Sequence, residues 1–413
     1  TKAPTTTTGP TVLFSAGSIN TVTKESHGIF INNVDYRPAA ESTVKQGGVI
    51  TTTGIDADGI HIVNTKGKTS IENTGSITSQ LGDAIDVSQV AGGSTITNSG
   101  NLTASSANKW VILGGKNIDT VTTTAGILTG NTNLAEGNDT FTASGGALVG
   151  STFMGDGNDV ATLKASVDVT KAPQFDGGPG TDVLNIEGLT INGFTGTSND
   201  STGNDLNLGN NLTNWETINL NSGAQLNSTA NLFAPSSVGT LNIDGTSTLN
   251  AGANTTRTST INGNVNNSGT VNLVHQNGVP GNVLTITGNY AATNGKVNIA
   301  TVLGNDSSAT DKLVVNGDTS GTSTISITNA GGAGAQTVEG IQVVQVDGNS
   351  AGTFSLASPV QASAYEYQLF QGGTSTPTDG DWYLRSHLTT VDCKVTNTCT
   401  PIYRPGVAGY VAA

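Results

Sequence analysis

Charge is scarce in this chain. Only 11% of its 413 residues are Asp, Glu, Lys or Arg, against about 25% in an ordinary globular domain. Aromatic residues make up 5%, and the chain has one methionine and two cysteines. Apolar residues reach 34%, below the usual content of about 45–50%. These shortages exclude one or two large compact cores of ordinary type. No apolar run approaches the roughly 18 residues of a membrane-spanning helix. The opening Thr1-Lys2-Ala3-Pro4 carries no apolar leader core, so a signal peptide is either lacking or already removed. Lys and Arg number 16 against 30 acids, for a net charge of −14. That balance argues against general nucleic-acid binding, which needs cations to displace counterions. It also keeps the chain from anionic lipid surfaces. Yet charge and proline are too sparse for a disordered chain.

What the chain does have is glycine, 55 residues of it, set among many Thr, Asn and Ser. No segment sustains a 3.6-residue period. Short alternating runs of Ile, Val, Leu and Thr recur, broken by Asn-Gly, Asp-Gly and Ser-Gly. This is the pattern of half-buried strands with turn punctuation.

The strands repeat. Asp58-Gly59-Ile60-His61-Ile62 overlays Asp83-Ala84-Ile85-Asp86-Val87, 25 residues on. Ser70-Ile71-Glu72-Asn73-Thr74-Gly75-Ser76-Ile77-Thr78 overlays Thr95-Ile96-Thr97-Asn98-Ser99-Gly100-Asn101-Leu102-Thr103 at the same shift. Ile218-Asn219-Leu220 and Leu226 overlay Leu241-Asn242-Ile243 and Leu249 at a shift of 23. Gly137-Asn138-Asp139, Gly157-Asn158-Asp159 and Gly180-Thr181-Asp182 recur at 20 and 23. A repeat of this length is either a leucine-rich repeat or a β-helix rung, and leucine is too sparse for the former. Each rung is expected to stack on the next by parallel pairing at about 4.8 Å. Alternate side chains then point inward, and Gly and Asn relieve the corners. Asn at equivalent corners is expected to stack into amide ladders.

The texture divides the chain into a coil over 1–270, a capping region over 271–388 and an irregular tail over 389–413. The capping region gathers Phe354, Tyr365, Tyr367, Phe370, Trp382 and Tyr383, a fitting cover for the open strand edges of a solenoid. In the tail, Cys393 and Cys399 form C-x5-C with no second Cys pair or His beside them. A small disulfide loop is preferred over two free thiols, and a zinc site is disfavoured.

Three segments carry a resemblance. Asn282-Val283-Leu284-Thr285-Ile286-Thr287-Gly288-Asn289-Tyr290 resembles the opening of an autochaperone region. Tyr365–Gln371 followed by Asp381-Trp382-Tyr383-Leu384 resembles its close. Ile402-Tyr403-Arg404-Pro405-Gly406-Val407-Ala408 resembles the junction to an outer-membrane barrel, although the family often has an acidic residue where Gly406 stands. Together they resemble the passenger end of type Va bacterial autotransporters. The likeness is strong over about 270–413, and before that rests on rung pattern and composition. It implies an all-β, right-handed parallel β-helix whose C-terminal section folds first. It implies export through the periplasm and outer membrane to the bacterial surface, with an outer-membrane β-barrel in the full-length protein. A short cysteine loop suits passage through a narrow pore.

Gly177-Gly178-Pro179-Gly180-Thr181-Asp182-Val183-Leu184-Asn185 fits the calcium-roll nonapeptide. Asp159 and Asp182 are therefore weak calcium candidates, but the copies lie one per rung and stacked tight turns are the preferred reading. No other metal or cofactor is expected. No G-D-S-G or G-D-S-L segment occurs. His61, between apolar positions 60 and 62, is expected to face solvent. The pairs Asp56/Asp58 and Asp83/Asp86 suit a glycan hydrolase or lyase groove, but their repetition favours a corner ladder. Lys45, Lys66, Lys68, Lys109 and Lys116 concentrate in the first third. Lys66 and Lys68 offer a local strip for sulfated glycans. Tyr36-Arg37-Pro38-Ala39-Ala40 interrupts the early rungs as a loop and a secondary contact site.

The expected role is non-enzymatic adhesion to host matrix proteins or glycans, glycosaminoglycans included. Its rival is self-association in aggregates and biofilm. Asp56, Asp58, Asp83, Asp86, Lys66 and Lys68 are the surface residues expected to contact a ligand.

Overall fold

The computed structural model describes residues 8–32, 41–63, 66–194, 210–228, 231–233, 238–253 and 258–386. The loop at 36–40, the tail from 389 with Cys393 and Cys399, and the junction at 402–408 lie outside the described residues. The chain divides into two compact units, Thr1–Asn219 and Leu220–Ala413.

The first unit is a parallel β-helix of three strand ladders. One ladder stacks Glu41–Gln46, Thr69–Asn73, Ser94–Asn98, Asp119–Thr123, Thr140–Ala143, Val160–Lys164 and Val183–Glu187. Period-2 alternation turns Val44, Ile71, Ile96, Val121, Phe141, Ala161 and Leu184 inward, where all are buried in one column. A second ladder stacks seven strands from Ser18–Thr21 to Val167–Lys171 and buries Ile50, Ile77, Leu102, Leu128 and Leu148. The third runs from Ile29–Asn32 through Ile60–Val63, Ile85–Gln89 and Trp110–Leu113. Each buried aliphatic contributes about 1.5–3 kcal/mol. The core is thin but renewed at every coil.

The sequence repeat is the physical register. Ser70 pairs with Thr95, Ile71 with Ile96, Asn73 with Asn98 and Ile77 with Leu102, as the 25-residue overlay requires. Asn73 Nδ2 donates to Asn98 Oδ1 at 2.6 Å, both side chains fully buried, so an amide ladder runs inside the coil. The glycine of the Gly-x-Asp triplet is set by close approach. A Cβ on Gly157 would lie 1.4 Å from the Gly137 carbonyl oxygen, and one on Gly180 1.5 Å from that of Gly157. Backbone stacks on backbone there, and no larger residue fits.

The second unit is also a parallel coil. Gly239–Ile243, Gly263–Asn267, Tyr290–Thr301, Thr319–Asn329 and Thr353–Leu356 stack in order. Thr258–Ile261, Val283–Ile286, Lys312–Val315 and Ile341–Val346 form a second ladder. Pairing then turns antiparallel. Trp382–Arg385 joins Ile341–Val346 on one side and Tyr365–Gln371 on the other, and Val360–Ala362 pairs with Tyr365–Gln371. This closes an edge that would otherwise offer unpaired backbone. Phe354 stacks on Tyr290 at 6.1 Å and meets Trp382 edge-on at 5.3 Å. Of the six expected cap aromatics, Phe354, Tyr367 and Trp382 are buried; Tyr365, Phe370 and Tyr383 are half-buried.

Candidate functional site

Chemistry-bearing side chains of the first unit converge where the third ladder begins. Phe30, His61 and Asp86 are in register across three coils. One position before each strand's opening glycine or alanine stand His27, Asp58 and Asp83. These form a corner ladder. The N–H of Asp58 donates to His27 Nδ1 at 3.1 Å, that of Asp83 to Asp58 Oδ1 at 2.7 Å, and that of Trp110 to Asp83 Oδ1 at 2.6 Å. The repetition of Asp58 by Asp83 is thus architectural, as the ladder reading requires.

The second carboxylate oxygens and the imidazoles do more. His61 Nδ1 lies 2.9 Å from Asp58 Oδ2 and 3.0 Å from Asp86 Oδ2, and His27 Nδ1 lies 3.2 Å from Asp58 Oδ2. The two imidazoles stack at 4.4 Å with an interplanar angle of 7°, and Phe30 stacks on both. This corrects the expected solvent-facing His61. Its side chain does point away from the buried Ile60 and Ile62, but His27 and the two carboxylates cover it to 14% exposure. Asp58, Asp83 and Asp86, expected at the surface, are likewise buried at 4%, 4% and 7% exposure. They sit under the corners of neighbouring coils. Asp56 alone of the four acids is exposed; it holds a positive φ of 52° and pairs with Lys109 Nζ at 2.9 Å.

Electrostatics follow from this crowding. Burial works to lower the pKa of His61, but the Asp58 and Asp86 carboxylates outweigh it and raise the ring to about 9. Burial, joined by the neighbouring His61 charge, lowers His27. Burial raises Asp83 to about 6 against the N–H of Trp110. Burial also pushes Asp86 upward, but His61 and Ser88 hold it below its ordinary value.

Lys66 and Lys68 are exposed. Lys68 lines a cleft of about 210 Å³ with Ser94, Thr95, Asn117, Ile118 and Thr120. Sequence reasoning missed His27 and the Asp56 partner Lys109. His27-Gly28-Ile29 overlays Asp58-Gly59-Ile60 at a shift of 31, a signal present but obscured by the longer coil.

The Gly-x-Asp triplets build a second ladder. The N–H of Asp119 donates to Asp139 Oδ1, that of Asp139 to Asp159 Oδ1, that of Asp159 to Asp182 Oδ1 and that of Asp182 to Glu216 Oε2, all at 2.6–2.7 Å. One residue earlier the direction reverses: the N–H of Asn158 donates to Asn138 Oδ1 and that of Thr181 to Asn158 Oδ1, each at 2.9 Å. Asp159 and Asp182 thus accept backbone hydrogen bonds from the preceding coil, the geometry of stacked turns. Among the described residues, the sets of three donor atoms close enough to share an ion are His27/Asp58/His61 and Asp58/Asp83/Asp86.

Residues 259–369 match the family described as Autochaperone Domain Type 1. The chain is 50% identical over 137 residues to "Adhesin BmaC autotransporter" of Brucella suis biovar 1, covering 31% of this chain and 4% of that protein. It is 45% identical over 131 residues to "Autotransporter adhesin AIDA-I" of Escherichia coli, covering 32% of this chain and 10% of the other. Residues 259–369 thus mark the autochaperone part of a classical autotransporter passenger. The chain spans less than a quarter of the length of these relatives. As a passenger it is exported through the periplasm and outer membrane to the cell surface. The passenger's aromatic second unit contains the whole autochaperone match.

Proposed function

We propose that this passenger is a non-enzymatic adhesin, delivered with an outer-membrane β-barrel of the full-length protein. Its contact surface is the outward face of the first ladder. The carrying observation is an in-register array of threonines. Thr95, Thr120 and Thr140 form one column, and Thr97, Thr122 and Thr142 a second. Strand spacing sets neighbouring hydroxyls about 4.8 Å apart, a flat polar lattice suited to the repeated hydroxyls of a glycan. Lys68 borders Thr95 and Thr120 in the shared cleft and favours anionic glycans such as glycosaminoglycans over neutral ones. The exposed Asp56 and Lys66 add rim charges, while the buried Asp58, Asp83 and Asp86 shape the adjoining coils. The relatives' names as adhesins support the same class.

The test is an array of matrix proteins and glycans probed with the wild type and with Thr97→Lys/Thr122→Lys. Wild-type hits that the double variant loses, with an unchanged circular dichroism spectrum, support the reading. Hits retained at full strength would move the contact elsewhere. A silent array with concentration-dependent dimers in sedimentation would assign the face to a second copy of the passenger.

A further inference from the structure

Asn-Gly occurs five times in the chain, at residues 192, 262, 277, 294 and 316. The stacked coils hold four of these steps and leave the fifth in an open turn. We propose that Asn277 is a site of spontaneous modification. Its side-chain amide is lost to give aspartate and the β-linked isomer, His275 assists, and the other four steps stay intact.

Glycine after asparagine removes the Cβ that would hinder attack by the next backbone nitrogen, so all five steps share one local chemistry. The fold separates them. Gly193 pairs with Asn210 across a ladder. Gly263 donates its N–H to Thr287 Oγ1 at 3.0 Å, and Gly317 to the Gly288 carbonyl at 3.1 Å, each on a neighbouring coil. Gly295 is buried opposite Ser323, and Asn294 Oδ1 accepts from Thr322 Oγ1 at 3.3 Å. Turning any of these glycines onto the preceding side chain parts two coils. His275–Val279 instead forms a turn of its own between the strands Thr270–Asn272 and Val283–Ile286. The Gly278 N–H donates to the His275 carbonyl at 2.8 Å, closing that turn on itself. Asn277 and Gly278 are exposed, Gly278 holds a φ of +69°, and no atom lies within 4 Å of its Cβ position.

The Asn277 amide is also polarised. Its Oδ1 accepts the N–H of Val279 at 3.1 Å, which fixes the end of the amide that carries oxygen. His275 Nδ1 lies 2.5 Å from the same oxygen. The imidazole carries the proton of that contact, since an amide oxygen has none to give. Once the Gly278 N–H leaves the His275 carbonyl, its nitrogen attacks Asn277 Cγ. The Gly278 N–Cγ bond forms and the Cγ–Nδ2 bond breaks. Nδ2 leaves as ammonia, taking the proton that Gly278 gives up. Negative charge gathers on Oδ1 during the attack, where the Val279 N–H and His275 already point. Water then opens the cyclic imide at either carbonyl, giving aspartate or its β-linked isomer. Each event places a new negative charge at the turn that leads into Val283–Ile286.

The test is peptide mapping by mass spectrometry of the folded passenger held at neutral pH, beside the same chain in urea. In the folded protein Asn277 should convert at least about tenfold faster than Asn192, Asn262, Asn294 or Asn316, because a local turn opens far more often than stacked coils part. In urea the five rates should converge. His275→Ala, with an unchanged circular dichroism spectrum, should slow Asn277 in the folded protein by about threefold to tenfold, the worth of one hydrogen bond. An intact Asn277, earlier conversion at another Asn-Gly step, or the same ranking in urea would overturn the proposal. A folded His275→Ala variant that converts at the wild-type rate would overturn the part given to the imidazole.

Discussion

Buried acids in residues 1–219 contrast with the one found in residues 220–413. Among the described residues, the first unit buries Asp58, Asp83, Asp86, Asp119, Asp139, Asp159 and Asp182; the second buries Asp311. Asp311 is saturated: one oxygen accepts the N–H groups of Gly281 and Asn282, and the other that of Ala300. In the first unit, Oδ2 of Asp139, Asp159 and Asp182 has no hydrogen-bond partner. The second unit buries the aromatics Phe233, Tyr290, Phe354, Tyr367 and Trp382, of which Tyr290, Phe354 and Trp382 touch one another; the first buries Phe141, Phe175 and Trp215 beside its acids. Both units stack coils with the same parallel geometry but lock them differently. Aromatic packing is non-directional and insensitive to protons. Carboxyl ladders fix the register of each coil on the next, but tie stability to pH. That suits the contrast between an autochaperone region and the coils before it.

The largest expected effect lies in the aromatic unit. Tyr290 is fully buried, stacks on Phe354, and its hydroxyl accepts from Asn267 Nδ2 at 2.9 Å and lies 3.0 Å from Ser323 Oγ. Tyr290→Ala should destabilise this unit by about 3–5 kcal/mol in urea denaturation. A loss below about 1 kcal/mol would mean that the aromatics are not its lock. In the ladder unit, Gly157→Ala drives a Cβ into the Gly137 carbonyl. The expected cost is about 2–4 kcal/mol, read as a lowered urea midpoint. The same change at Gly278, where no atom lies within 4 Å but φ is +69°, should cost only about 1 kcal/mol.

The pH dependence sharpens the contrast further. Burial raises Asp139 to about 8, against the N–H of Asp119, with the Asp119 and Asp159 charges adding to it. Burial likewise raises Asp182 to about 7 and Asp159 to about 6. A carboxyl whose folded pKa exceeds its unfolded value binds more protons when folded. Its contribution is full below about pH 4 and is lost as pH rises through the folded value. Melting temperature of the first unit should therefore fall between about pH 5 and pH 9. Asp139→Asn retains the Oδ1 acceptor and should flatten that slope by about 1–2 kcal/mol. A slope unchanged in the variant would remove Asp139 as its source. At the small end stands the exposed Lys45–Glu72 pair at 3.0 Å. Lys45→Ala should move the melting curve by no more than about 0.5 kcal/mol.

Much of this was legible before any coordinates. The overlay of Ser70 to Thr78 on Thr95 to Thr103 is the strand register itself, residue for residue. The Gly-x-Asp triplets are stacked turns, because stacking makes the same demands at each coil. The cap aromatics were visible as a cluster of residue types. The misreadings share one cause. Alternation told correctly that His61 points away from Ile60 and Ile62, but not what covers that outer side. Its covers are Asp58 on the entering corner, Asp86 one coil on, and His27 one coil back. His27 was missed because Ile29 pairs with Ile60 at a shift of 31, whereas the overlay that exposed Asp58 and Asp83 has a shift of 25.

Residue order settles which side of a strand each side chain takes, because alternation is a property of the local backbone. It also settles that the coils stack, because the repeat allows one consistent register. Stacking alone decides that His27, Asp58, His61 and Asp86, drawn from three coils, meet within a few ångströms. It likewise decides that, among the described residues, eight aspartates of an acidic chain lie buried rather than in water. Those outcomes depend on the length of each intervening coil and on what the neighbouring corners carry, and no single strand records either.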